Sequence, residues 1–278
     1  MLQIPEIVKY CHFAYAKGTP RCSNCNNAGC KGACTECFRE IHFGNGRDYD
    51  CPNLMHHYVC TYIYAYSSEI WHIFNTERDL KNLDEYRILS IGCGPASELF
   101  GVSKIAGDKR IEYVGFDTNE LWVNVHAKVV EMVNPEPNCT ADIRIGNVFD
   151  NFGELNFNPN VIILSYLISH LIITNTDIEV FMKDFQEIIL NNIPKPYSIL
   201  INDINLNTVR DKFTILSNRL NADEAHIPRI SIYSFDGYGY GIRHGSKRLI
   251  EDIPVKILSK YASWQKCKRT AQMLIKVN

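Results

Sequence analysis

Ile88-Leu-Ser-Ile-Gly-Cys-Gly-Pro-Ala-Ser-Glu98, followed by Tyr113-Val-Gly-Phe-Asp117, decides the fold. An apolar strand runs into a tight glycine turn and then into a helix. A second apolar strand ends in a single carboxylate. Gly92 and Gly94 have no Cβ, so the backbone can turn sharply there and come close to a ligand. Asp117, at the end of the second strand, stands where an acidic side chain can hydrogen-bond the two hydroxyls of a ribose. The pair predicts a nucleoside-binding crevice at the carboxyl ends of a parallel sheet.

A dinucleotide site would call for Gly-x-Gly-x-x-Gly. Here Pro95 has no N–H to offer a phosphate, and Glu98 in the first helical turn repels a pyrophosphate. Both suit a ligand with a cationic end and no phosphate. The two stretches resemble the first and second motifs of class I S-adenosylmethionine-dependent methyltransferases, a resemblance that spans residues 80–278. It implies an α/β fold with a doubly wound, seven-stranded, Rossmann-like sheet. It also implies S-adenosylmethionine as cofactor, held by Gly92, Cys93, Gly94, Pro95, Glu98, Asp117 and Thr118. Ser90 stands where that family often has an acid, and Glu98 is expected to substitute for it.

The resemblance carries further along the chain. Gly146-Asn147-Val148-Phe149-Asp150 resembles the family position that contacts adenine, with Asn147 and Val148 as the contacts. Asn147 replaces the usual Asp and can still accept from the exocyclic amine through its carbonyl oxygen. The fourth strand ends in Leu164-Ser165-Tyr166, with Ser169 and His170 just beyond, where substrate would meet the methyl group. Ser165 and Tyr166 are expected at the cofactor. Tyr166, His170 and Asp203 are the candidate catalytic groups, His170 because an imidazole can take a proton near neutral pH. Neither Asn/Asp-Pro-Pro-Tyr nor Pro-Cys is present at this strand end. That excludes the adenine-amine signature and the cysteine nucleophile of cytosine-C5 chemistry. Methyl transfer from an activated sulfonium needs alignment above all, so no obligatory catalytic residue is dictated.

The frame around these motifs alternates strand and helix, as a doubly wound sheet requires. Strands are expected at 87–91, 112–116, 142–145, 161–165 and 198–202, and helices at 96–106, 119–133, 176–192 and 206–221. Apolar runs at 254–261 and 271–277 would form a closing antiparallel hairpin, and the Tyr/Gly-rich 229–245 an extra mobile loop near the substrate. Upstream, 1–17 reads as a short helix. Residues 53–76 read as a long one with Asn53 as N-cap and apolar residues at helical spacing. Its tyrosines Tyr58, Tyr62, Tyr64 and Tyr66 precede Glu69. Such a face could contact cofactor or substrate, but an amphipathic packing helix with phenols at its margin accounts for it somewhat better. The expected division is a Cys-rich segment (1–52), a linking or lid helix (53–80) and a methyltransferase domain (81–278).

Of eleven cysteines, eight lie in the first 60 residues. Cys22, Cys25, Cys30, Cys34 and Cys37 fall within sixteen residues, with Cys51 beyond. Two Cys-x2-Cys pairs, Cys22/Cys25 and Cys34/Cys37, make a natural four-sulfur zinc site. Cys30 and Cys51 are spare ligands, and an iron–sulfur cluster is the alternative. Cys30, Cys34 and Cys37 also carry the spacing of radical enzymes that cleave S-adenosylmethionine, but those enzymes have a different barrel fold.

Hydrophobic content of 46% and charge of 22% call for a packed core. The net charge of −2 hides an asymmetry: 205–278 carries +7 and the remainder −9. A basic carboxyl-terminal part can meet a phosphate backbone. Together with the cysteine module, this is similar in architecture to zinc-containing rRNA guanine methyltransferases and makes RNA the leading expected acceptor. A protein or small-molecule acceptor is the alternative, as is a non-catalytic protein that binds S-adenosylmethionine, zinc and RNA or a partner. No signal peptide or membrane-length apolar run is present in the sequence, so a cytoplasmic location is expected.

Overall fold

The computed structural model describes residues 1–17, 34–42, 49–222, 228–235 and 240–278. In chain order the elements are α1 (Ile4–Lys17), α2 (Cys34–His42), α3 (Pro52–Thr76), α4 (Arg78–Lys81), β1 (Tyr86–Ile91), α5 (Ser97–Ala106), β2 (Ile111–Asp117), α6 (Val123–Val133), β3 (Cys139–Ile145) and α7 (Val148–Asn151). There follow β4 (Val161–Ser165), α8 (Leu167–Ile173), α9 (Ile178–Asp184), β5 (Tyr197–Ile204), α10 (Asn207–Ala222), β6 (Pro228–Ser234), β7 (Ile242–Arg243), α11 (Val255–Tyr261) and β8 (Thr270–Val277).

The strands form one sheet in the order β3-β2-β1-β4-β5-β8-β6-β7. The first five are parallel. β8 is antiparallel to both β5 and β6. The sheet therefore has eight strands, one more than expected, because the two-residue β7 pairs with the edge of β6. Successive residues of each parallel strand feed opposite faces; β1, β2, β4 and β5 are covered on both and are largely apolar, whereas the edge strand β3 alternates and buries none of its residues. Ile88, Tyr113, Ile163 and Leu200 join α1, α3, α5 and α6 in one core. Leu89, Val114, Ile162 and Ile199 join Ile178, Met182 and Phe213 of α9 and α10 in the other. Leu2, Ile7, Phe38 and Met55 lie in the first of these cores, so the amino-terminal helices are continuous with the sheet's packing.

Three expectations need correction. The residues 254–261 are not a strand: α11 starts after Pro254 and buries Ile257 and Tyr261, one turn apart, while Val255 faces solvent. The strand that pairs with β8 is instead β6, from the stretch expected to be a mobile loop. Its Arg-Ile-Ser-Ile-Tyr run has the period-2 alternation of a half-buried strand. The N-cap of α3 is Cys51, not Asn53. Pro52 takes the first helical position, where its missing N–H costs nothing. Less drastically, the helix expected at 176–192 is α9 followed by a π turn at Phe185–Ile189 and a 3-10 turn at Leu190–Asn192.

Candidate functional site

The strand order reverses between β1 and β4, and in open α/β sheets ligands bind outside the carboxyl ends at that point. A cavity of about 900 Å³ lies there. From β1 come Ile91, Gly92 and Gly94, and from β2 come Phe116, Asp117 and Thr118. The turn after β3 supplies Gly146, Asn147 and Val148, and the turn after β4 supplies Ser165, Tyr166, Ser169 and His170.

The glycine turn is closed on itself. Gly92 and Gly94 have φ of +65° and +48°, which an L side chain rarely adopts. Cys93 N–H donates to Phe116 O (2.9 Å), Gly94 N–H to Asp117 Oδ2 (2.8 Å) and Ala96 N–H to Cys93 O (2.8 Å). Asp117 Oδ1 accepts from Asn119 N–H (2.9 Å). Burial raises the Asp117 carboxyl, while these backbone donors oppose the shift. His126 Nε2 lies 2.7 Å from Gly94 O, so that nitrogen carries the hydrogen.

Of the expected cofactor residues, Gly92, Gly94, Asp117, Thr118, Asn147, Val148, Ser165 and Tyr166 line the cavity. Cys93, Pro95 and Glu98 are not among its lining residues. Cys93 is buried, its sulfur 3.9 Å from His126 Nε2. Glu98 is 1% exposed and accepts hydrogen bonds from Ser90 Oγ and Tyr113 OH. Burial pushes its carboxyl up, so the acid expected to replace the one missing at Ser90 is bonded to Ser90 inside the core. Asn147 spends its side-chain oxygen on Phe149 N–H (3.1 Å) as the N-cap of α7, so only one lone pair and the NH₂ group remain for a base.

The expected catalytic trio separates. His170 lines the cavity, its ring 5.7 Å from that of Tyr49. The Tyr166 ring lines it too, but its hydroxyl lies beside the buried Glu69 and Thr270. Asp203 is fully buried; its Oδ2 accepts from Ser169 N–H (2.9 Å) in α8 and its Oδ1 from Ile204 N–H (2.7 Å). Burial pushes its pKa up to about 6. Asp203 therefore anchors α8 and does not reach a substrate.

An aromatic wall, of which only part was expected, completes the site. Tyr58 and Tyr66 of α3 line the cavity with Tyr49, Trp122, Phe149 and Phe181. Tyr66 and Tyr166 stack at 3.7 Å and 18°. Tyr58 meets Tyr49 and Trp122 edge-on, both at 5.6 Å. The tyrosine spacing on 53–76 held that signal, since positions 58, 62 and 66 share a helical face; Tyr64 points into the core. Nothing local in the sequence marks Tyr49, Phe181 or Asp184 as neighbours of Gly92. Five carboxylates (Asp50, Asp117, Glu120, Asp177, Asp184) and no Lys or Arg occur among the described lining residues.

Of the expected metal ligands, Cys22, Cys25 and Cys30 lie outside the described residues. Cys34 opens α2 half-buried, Cys37 follows one turn later and is buried, and Cys51 is buried at the start of α3. Among the described residues no group of three or more ligand side chains is placed to hold a metal ion. Among them, too, no helix is long and apolar enough to cross a membrane.

Fold and site together define a doubly wound α/β protein with a ligand crevice at its switch point. No family model matches the chain, and no curated protein matches it in sequence. Solved structures of low identity do align. The plantazolicin methyltransferase BpumL in complex with SAH shares 15% identity at a TM-score of 0.42, over 99% of both chains. The plantazolicin methyltransferase BamL, with a triazolic desmethylPZN analog and SAH, shares 10% at 0.45, over 99% of this chain and 100% of that one. Aeropyrum pernix fibrillarin with natively bound S-adenosyl-L-methionine shares 11% at 0.42, over 77% and 76%. The fold stands on the strand order and register, not on these likenesses.

Proposed function

We propose that the chain is a methyltransferase that takes S-adenosylmethionine as methyl donor. One observation carries this reading. The amides of Cys93, Gly94 and Ala96 are spent within the turn, and Pro95 has none. Those three amides are not open to a pyrophosphate, whereas a ribose finds the Asp117 carboxylate. The carboxylate-rich lining also favours a donor whose sulfonium is cationic. Bound, the donor supplies an activated methyl group: the acceptor's lone pair forms the new bond as the bond to sulfur breaks, leaving its pair on sulfur. The chain's part is alignment within the aromatic wall. His170 is the lining group suited to take the acceptor's proton.

The acceptor follows from the same lining. Five carboxylates without a Lys or Arg among the described lining residues support a neutral or amine-bearing small acceptor over RNA, whose phosphates such a cavity repels. The +7 carboxyl-terminal part remains the argument for RNA at the outer surface. We also propose that the cysteine-rich segment holds zinc through Cys22, Cys25, Cys34 and Cys37, with Cys30 and Cys51 as further thiols.

Calorimetric titration of the full chain with S-adenosylmethionine and, separately, NAD⁺ tests the central reading. Binding of the first alone is expected; binding of NAD⁺ alone overturns it. A fluorescent RNA hairpin titrated at low and high salt separates the acceptor readings, since phosphate contacts give a steep salt slope. Metal analysis and an absorption spectrum decide between colourless zinc and brown iron–sulfur protein.

A further inference from the structure

Beneath the aromatic wall, Glu69 of α3 is fully buried and outside the cavity lining. Its Oε1 lies 2.5 Å from Thr270 Oγ1 and its Oε2 3.0 Å from Tyr166 OH. The Tyr166 and Thr270 hydroxyls are themselves 2.7 Å apart. Three oxygen-bearing groups from α3, the end of β4 and the start of β8 thus make three mutual contacts. Proton counting decides their state. A hydroxyl brings one hydrogen and a carboxylate none. An ionised Glu69 leaves two hydrogens for three contacts, so one pair of oxygens faces with no hydrogen between. A protonated Glu69 brings the third: the carboxyl donates to Tyr166, Tyr166 to Thr270, and Thr270 back to the other carboxyl oxygen. Within the ring every member then donates once and accepts once.

We propose that Glu69 is a positioning residue that acts as a neutral carboxylic acid, closing this ring and holding the Tyr166 side chain as the cavity wall. Tyr166 needs such a hold. Its φ is +55°, a conformation that costs a non-glycine residue energy and persists only where its surroundings enforce it. Its N–H is tied to Asn202 O at 2.7 Å, and its ring is clamped on Tyr66. The hydroxyl ring fixes the remaining end. Asn202 Nδ2 adds a donor to Glu69 Oε2 at 3.3 Å and reaches Ser165 Oγ, also in the lining, at 3.2 Å.

The titratable groups around Glu69 agree. Asp203 on β5 is the charged group that faces it, and it is acidic. Among the described residues Cys267, just before β8, and Tyr166 also interact with it and bring no positive charge. On the remaining side α5 packs against α3 through Gly101, close to the Ser67 carbonyl. Burial pushes the Glu69 pKa up to about 7, against the pull of its hydrogen bonds with Thr270, Asn202 and Tyr166.

Infrared difference spectroscopy on the full chain, with Glu69→Gln, tests this, alongside calorimetric binding of S-adenosylhomocysteine. A carboxamide can donate to Tyr166 and accept from Thr270, so Glu69→Gln is expected to fold and to bind at pH 6 as the wild type does. The wild type is expected to show a protonated-carboxyl band at pH 6 that the variant lacks. That band should fade as pH rises through about 7, and wild-type affinity should fall roughly tenfold with it while the variant stays flat. Absence of the band at pH 6, a Glu69→Gln chain that fails to fold, or a variant with the wild-type pH profile overturns the proposal. The band needs no ligand. Failure of the wild type to bind S-adenosylhomocysteine would therefore refute the donor reading on which the affinity arm rests and leave the band to judge Glu69.

Discussion

Asp117 Oδ2 takes the Gly94 N–H at 2.8 Å, so the end of β2 is latched to the glycine turn after β1 by the carboxylate that also faces the cavity. The same group shapes the turn and lines the cavity. Its other oxygen holds Asn119 N–H and starts the turn toward Trp122. Asp117→Asn cannot serve both amides, because its NH₂ group is a donor facing a donor. S-adenosylmethionine affinity is expected to fall on the order of 10- to 100-fold, the loss of a charge-assisted hydrogen bond or two. Calorimetry on the variant, with circular dichroism to confirm the fold, checks this; unchanged affinity would remove Asp117 from the site.

Gly92 allows a sharper test. Its φ is +65°, and a Cβ there would stand 2.7 Å from Leu167 Cδ1, the first residue of α8. Gly92→Ala is expected to cost about 1–2 kcal/mol from the left-handed backbone alone, read from urea unfolding. Gly92→Asp adds a carboxylate at the cavity and should abolish S-adenosylmethionine binding. Its cysteine-rich segment lies elsewhere in the chain, so metal content should not change. Wild-type affinity in Gly92→Asp would sink the site assignment.

Much of this was legible because the parallel strands are local signals. The four central ones are largely apolar and end in or beside a glycine or a polar residue, and buried strands need no partner to be recognised. The last antiparallel pair was not legible in the same way. β6 has only a modest alternation, and 254–261 is equally apolar, so hydrophobicity without period misled. The cavity residues that the sequence marks lie at or just beyond strand ends, Gly92, Asp117, Asn147 and Ser165, with His170 in the helix that follows β4. Glu98 was misplaced because a helix's first turn can face the ligand or the core. Here Ser90 and Tyr113 provide hydroxyl donors on the core side. Nothing local in the sequence pairs Glu69 with Tyr166, because 97 residues separate them.

Close packing of α3 on α5 gives a prediction independent of any ligand. A Cβ at Gly101 would lie 2.4 Å from Ser67 O and 3.1 Å from Ile70 Cβ. Backbone cannot retreat as a flexible side chain can, so α5 would have to shift. Gly101→Ala gains helix propensity but is expected to lose about 1–3 kcal/mol net from overpacking. Ser67 adjoins Ser68 and Glu69, so the shift should also disturb the wall at Tyr166. Urea unfolding measures the first effect and S-adenosylhomocysteine calorimetry the second. A variant as stable as the wild type would contradict this packing.

The buried acid also fixes a sign for stability against pH. Glu69 is raised from 4.5 to about 7, so its contribution is fully present below about 4.5 and is lost as pH climbs through about 7. Other groups push the opposite way: the buried His57 and the half-buried His244, both lowered to about 4, favour the fold as pH rises. Glu77 and Asp79, lowered beside Lys276, lose stability only on strong acidification. Total stability therefore mixes these slopes, and the difference between wild type and Glu69→Gln isolates one. Those other groups cancel in the difference, which should change by on the order of 3 kcal/mol between pH 5 and pH 8. The variant gains on the wild type as pH rises. Asp203, raised to about 6 and coupled to Glu69, pulls the midpoint but not the sign. Urea unfolding of both proteins at the two pH values gives the number. A difference that does not vary with pH would mean that Glu69 is ionised in the fold.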